Sequence, residues 1–271
     1  MPTVLSRLAL AALICASLVS SIFAGPAEGP APKEAEEEEE QPNEELAEMM
    51  LKMYAEGEMK VMYAVALHAN PKAGQLWKTT TISKFGDYEQ KASELWQVSK
   101  VEGKQALVEN RNSSYGIIIA YLVDTTVTGD EIWKKGNVRK AWVGKKSEAP
   151  KEAEVMEVYK PEGGEEAQPP EKNYAETSEA FKDLEIAGRK WSGKKTTMKM
   201  NDGSFENTIW TAENGWFSGV LKMDYKMESG TMTQELTRVS SSAKPLLKWD
   251  GIKFEEEKKE EKKEGEKEGS K

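Results

Sequence analysis

From Leu221 the chain alternates strictly: Leu221, Met223, Tyr225 and Met227 interleave with Lys222, Asp224, Lys226 and Glu228. Only an extended strand with one buried face sorts such a pattern, because successive strand side chains point to opposite faces whereas a helix would scatter them around its circumference. Ser229-Gly230 then reads as a two-residue turn. That turn would oppose Met227 with Met232, Tyr225 with Gln234 and Met223 with Leu236, keeping the apolar positions together.

The same grammar recurs along the chain. "LWKTTTISKF" and "YEQKASELWQVSKV" flank Gly86-Asp87 and predict a hairpin, and "KQALVEN", "GIIIAYLVDTT", "NVRKAWVG" and "EAEVMEVYK" follow as further strands. "DLEIAGRKW", "KKTTMKM", the turn "NDGS" and "FENTIWTAE" lead into the opening stretch. Strands joined by short turns predict an antiparallel meander. Ahead of them, "EELAEMMLKMYAEG" behind a capping Asn43 predicts a helix presenting Leu46, Met49, Met50 and Met53. "EMKVMYAVALHA" predicts a second helix through Val61, Met62, Val65 and Leu67, ended at Asn70-Pro71. "YAETSEAF" suggests a short helix. The expected fold class is therefore mainly β: a curved antiparallel sheet or incomplete barrel, with N-terminal helices as cover and disordered charged tails.

The domain reading follows. Arg7 ahead of the apolar run Leu8 to Val19, with small residues leading to Ala24, predicts a signal peptide over 1–24; an uncleaved anchor is the alternative. Residues 25–42 form an acidic linker, 43–70 the helical segment, 74–160 a first strand-rich lobe, 161–173 a linker or long loop, 174–254 a second lobe and 255–271 a charged tail. One sheet through both lobes is favoured over two domains. An exported, periplasmic or secreted, protein is expected, with no integral membrane span once the signal is removed. Its sole cysteine, Cys15, lies in the apolar run and lacks the small residue that precedes a lipidated cysteine, so the mature chain carries no thiol chemistry.

Charge excludes one large class of partner. Eight Glu and one Lys fall in residues 33–45, and eight Glu and six Lys in residues 255–271, which accounts for the formal net charge of −9 and leaves the middle neutral. A neutral fold with acidic ends is no nucleic-acid binder.

Catalytic chemistry finds little footing. His68 is the only histidine, which removes imidazole triads and multi-histidine metal sites. Carboxylates such as Asp87, Glu94, Asp124, Asp130, Asp202 and Asp224 are available to a hydrolase, but no spacing singles out a pair. No catalytic residue, cofactor or metal site is therefore assigned. Methionine offers a softer possibility: Met198, Met200, Met223, Met227 and Met232 could present thioethers to Cu(I), or fill a core, or line an adaptable apolar cavity. With Trp210 and Tyr225 they make up the candidate ligand-binding set, and Trp96 with Val98 is the corresponding guess in the first lobe.

One stretch carries a resemblance. Gly203-Ser204-Phe205, Trp210, Gly219-Val220-Leu221-Lys222-Met223 and Glu235-Leu236 resemble a pattern found in exported bacterial proteins of unknown function. That pattern is similar to the periplasmic lipoprotein-carrier (LolA-like) fold, an incomplete β-barrel whose concave side is capped by helices and accepts acyl chains. The resemblance implies a non-enzymatic binder or carrier of an apolar, lipid-like ligand in the cell envelope. A structural or interaction protein of the envelope with a filled core is the alternative, its partner an envelope protein, and a carboxylate-based hydrolase a remote one.

Overall fold

The computed structural model describes residues 44–158 and 173–250. The expected signal peptide, acidic linker and charged tail, and nearly all of the expected linker at 161–173, lie outside them. Helix α1 is Glu44–Ala55, and a short helix α2 is Glu131–Lys135. Between and after them run β1 (Leu76–Phe85), β2 (Tyr88–Glu102), β3 (Gln105–Asn112), β4 (Ile118–Asp124), β5 (Val138–Gly144) and β6 (Lys151–Ala153). The second lobe supplies β7 (Tyr174–Ile186), β8 (Arg189–Met200), β9 (Phe205–Ala212), β10 (Val220–Met227) and β11 (Gly230–Ser240).

All eleven strands join one antiparallel sheet in the order β6-β5-β4-β3-β2-β1-β11-β10-β9-β8-β7. Each lobe is a meander of neighbours in sequence, and the lobes are fused where β1 pairs with β11, from Leu76 opposite Ser240 to Lys84 opposite Thr231. The sheet does not close on itself; β6 and β7 are its two edges. Register shifts in β1–β11, β2–β3, β4–β5, β7–β8 and β9–β10 add local twist and bend of the kind that curls a broad sheet.

The two faces bury different things. On the inner face Val108, Tyr121, Val143, Trp77 and Val239 join a large buried cluster that includes Ala47 and Tyr54 of α1. Helix α1 contributes Ala47, Met50, Leu51 and Tyr54, a stripe spaced three and four residues apart. Met49, expected inside, is 52% exposed. On the outer face Leu107, Ile118, Leu122 and Trp142 pack with Leu247 of the C-terminal segment. Glu109, fully buried, fastens that segment: its carboxylate accepts hydrogen bonds from Gln97 Nε2 (2.5 Å), Ser99 Oγ (2.6 Å), the backbone N–H groups of Leu246 (2.7 Å) and Leu247 (3.1 Å), and Trp249 Nε1 (2.7 Å).

Three local expectations are corrected. The second helix does not form. Gly57, at φ 75°, ends α1, and the chain then runs extended, with Val61 pairing in parallel with Val155. The side-chain amide of Asn137 completes the strap, accepting from Val65 N and donating to Val65 O, each at 2.8 Å. Two tertiary partners thus take the backbone groups that a helix would have paired internally. "YAETSEAF" is the start of β7, not a helix, because pairing with β8 from Tyr174 opposite Met200 to Phe181 opposite Gly193 overrides a weak local preference.

The hairpin of β10 and β11 turns one step earlier than expected, through Glu228-Ser229, so that Met227 opposes Gly230, Tyr225 opposes Met232 and Met223 opposes Gln234. Gly230 belongs to the strand because a Cβ there would run into the carbonyl of Lys84 on β1. The slip is even, so the apolar side chains keep their common face.

Candidate functional site

Strand alternation carries the inner face into the second lobe. Trp77 and Thr79 share a face of β1, and further along it Thr81 and Ser83 lie opposite Gln234 and Met232. Met232 faces Tyr225, Tyr225 faces Asn207, and Asn207 faces Met198. One row further, Met227 faces Phe205. One row back, Met223 faces Ile209 and Ile209 faces Thr196. Six of the seven candidates, Met198, Met200, Met223, Tyr225, Met227 and Met232, therefore share one patch of inner face, joined by the rings of Phe205 and Tyr225 at 4.8 Å in edge-to-face contact.

Trp210 does not belong with them. It stands on the opposite face, paired with Lys195 and Lys222, whose ammonium groups lie 5.6 and 5.3 Å from its ring centroid. The indole is half-buried, flanked by the two cations and packed against the large buried cluster, and it contributes nothing to the methionine patch.

The patch differs from the rest of the inner face in how it is filled. Met200, Met223, Tyr225, Met227 and Met232 are half-buried and belong to neither buried cluster. Met198 is buried, at 3% exposed. Over the first lobe this face is packed solid: Trp96 stacks on Tyr121 at 5.8 Å, and Phe217, reaching over from the second lobe, bridges Trp96 and His68. The Trp96 and Val98 guess thus falls on core. His68 sits under Trp216 and Phe217, accepts from Phe217 N through Nδ1 at 3.4 Å, and burial pulls its pKa down to about 4.

In the centre of the patch lies a residue that alternation had hidden. Asn207 is 1% exposed, and among the described residues neither its amide oxygen nor its amide nitrogen has a hydrogen-bond partner. The signal was present in the sequence: in "FENTI" an amide occupies the in-phase position between Phe205 and Ile209, where the pattern asks for an apolar group. Glu109 interrupts the apolar run of "KQALVEN" in the same way.

Thioether geometry argues against a metal knot. Met223 and Met227 stand roughly 13 Å apart along one strand, four residues at about 3.3 Å each. Tyr225 and Asn207 lie between the remaining sulfurs. Among the described residues no three His, Cys, Asp or Glu side chains gather as metal ligands. Four of the six candidate carboxylates are engaged locally: Asp124 binds Arg139 at 2.6 Å, Glu94 accepts from Asn110, Asp202 caps Ser204, and Asp224 meets Lys222 at 3.3 Å. A cleft of about 460 Å³ beside Tyr54, Gly57, Arg139 and Glu154 is walled by charged groups, Glu154 already pairing with Lys60 at 2.8 Å.

No protein-family model and no curated protein matches the chain. Solved structures similar to it include MucB in complex with MucA(peri), with a TM-score of 0.30 and 12% identity, covering 63% of this chain and 52% of that one. A DUF1329 family protein from Desulfovibrio piger gives a TM-score of 0.29 at 8% identity, over 73% of this chain and 91% of that one. A LolA superfamily protein from Nitrosomonas europaea gives 0.24 at 9%, over 73% and 94%. The chain spans about half the length of the MucB structure. At these scores the likenesses carry no argument about activity; the fold rests on the chain's own open antiparallel sheet. No helix among the described residues is long and apolar enough to cross a membrane.

Proposed function

We propose that this protein is an exported, non-enzymatic binder or carrier of an apolar, lipid-like ligand in the cell envelope, and that the ligand lies along the methionine patch. The observation that supports this reading is a contrast within one face. The inner side of the first lobe is filled by aromatic and branched residues beneath α1 and the strap that follows it, whereas five apolar side chains of the second lobe stay half-buried outside both clusters. Unbranched thioether side chains adapt to ligands of varied shape, and covering such a floor with an acyl chain gains about 0.8 kcal/mol per methylene buried.

The test is native mass spectrometry of the full chain expressed with its export signal, followed by solvent extraction and lipid analysis. Excess mass that extracts as acyl lipid, lost in Met223→Glu, is the expected result. An unliganded mass, with no uptake of offered lipids, overturns the proposal. It would then leave the second reading, an envelope interaction protein, which the solid interior of the first lobe favours.

A further inference from the structure

The two most deeply buried asparagines are used in opposite ways. Asn137 and Asn207 are each 1% exposed. Asn137 spends its amide on both backbone groups of Val65, whereas Asn207 has no partner for either amide atom among the described residues and lies in register between Met198 and Tyr225. An unpaired amide in apolar surroundings is costly, and folds discard such groups unless something else completes them. The side chains in register on either side of it, Met198 and Tyr225, belong to the methionine patch, so a head reaching the amide must part them.

We infer that Asn207 is the polar anchor of the patch, and that it selects a single-chain amphiphile whose head is a primary carboxamide or a protonated carboxylic acid. The inference rests on the apolar-ligand reading above. An asparagine amide presents an acceptor oxygen and a donor N–H side by side, and the head that satisfies both at once offers a donor and an acceptor on one edge. Primary amides and un-ionised acids do so; esters, alkanes and quaternary ammonium heads do not. A charged head is disfavoured by the surroundings. The row through Asn207 holds Ser83, Met232, Tyr225 and Met198 and ends two strands away at the exposed Glu176, so it sets no cation beside the amide to hold a charged head. The tail then runs over the neighbouring methionines.

The test compares hexadecanamide with hexadecane by competition in native mass spectrometry, on the full chain and on Asn207→Leu, with Asn207→Ala as a second variant and circular dichroism to confirm folding. Wild type is expected to prefer the amide by roughly tenfold, the scale of one to two neutral hydrogen bonds formed in a dry site. Both variants should keep hexadecane and lose the preference to within about twofold, the tolerance of ordinary surface changes. Uptake of both probes with no preference in wild type, or a preference that survives both substitutions, overturns the anchor and leaves the apolar patch standing. Uptake of neither probe by wild type overturns both.

Discussion

Trp249 donates its indole N–H to Glu109 Oε1 at 2.7 Å across 140 residues of chain, and so ties the end of the described polypeptide to the middle of the sheet. Five donors converge on that one carboxylate, and their number offsets the cost of stripping its water. Glu109→Ala removes the acceptor and leaves buried donors facing a void. A loss of about 2–4 kcal/mol is expected, the range for breaking a buried charged network. Urea unfolding measures it, and hydrogen exchange should show the amides of Leu246 and Leu247 losing protection first.

The paired asparagines should respond with opposite sign to the same change. Asn137→Leu leaves the N–H and C=O of Val65 unpaired and should destabilise by about 1–3 kcal/mol. Asn207→Leu removes an unpaired amide at similar volume and should raise the melting temperature of the unliganded protein by a few degrees. Differential scanning fluorimetry of both variants, after lipid extraction, decides the matter; a fall for Asn207→Leu would reveal a structural partner.

Acid should weaken the fold through His68. Burial lowers its folded pKa to about 4 from an ordinary value of 6.5, so between those values the unfolded chain binds the proton that the native one refuses. Stability contributed by this group is whole above pH 6.5 and falls as pH drops toward 4, by up to about 3 kcal/mol. Urea midpoints measured across that window should fall more steeply for wild type than for His68→Phe, which keeps a ring beside Trp216 and cannot titrate.

At Gly230 a side chain has nowhere to go. Gly230→Ala places a methyl group against the backbone of Lys84 and should cost about 1–3 kcal/mol by forcing β11 from β1. Chemical denaturation checks the value, and Ser229→Ala in the turn is the control that should stay within about 0.5 kcal/mol.

Most of the sheet was legible because its signal is local. The hairpin at Gly86-Asp87 and the run from Phe205 to Leu236 could be placed from alternation and turn residues alone, and the even slip at Ser229-Gly230 left every side chain on its expected face. What misled was decided at a distance. The stretch after Gly57 has helical spacing, but Asn137 and Val155, at least 70 residues away, take its backbone groups. Trp210 was grouped with the methionines by residue type, although parity sends it to the other face. Asn207, a polar residue among apolar ones, reads as noise in the alternation until its burial is known.

The seam between β1 and β11 sets the order of assembly. A chain made from its N-terminus completes β1 long before β11 exists, and until then β1 is an unsatisfied border running through what becomes the middle of the sheet. Each half can zip from neighbour to neighbour, but their union closes a loop of some 150 residues, the slowest and most entropically demanding contact in the molecule. The protein is thus committed to finishing from the centre, and truncation before Gly230 should yield two half-sheets that stick to one another's copies instead of a smaller version of the fold.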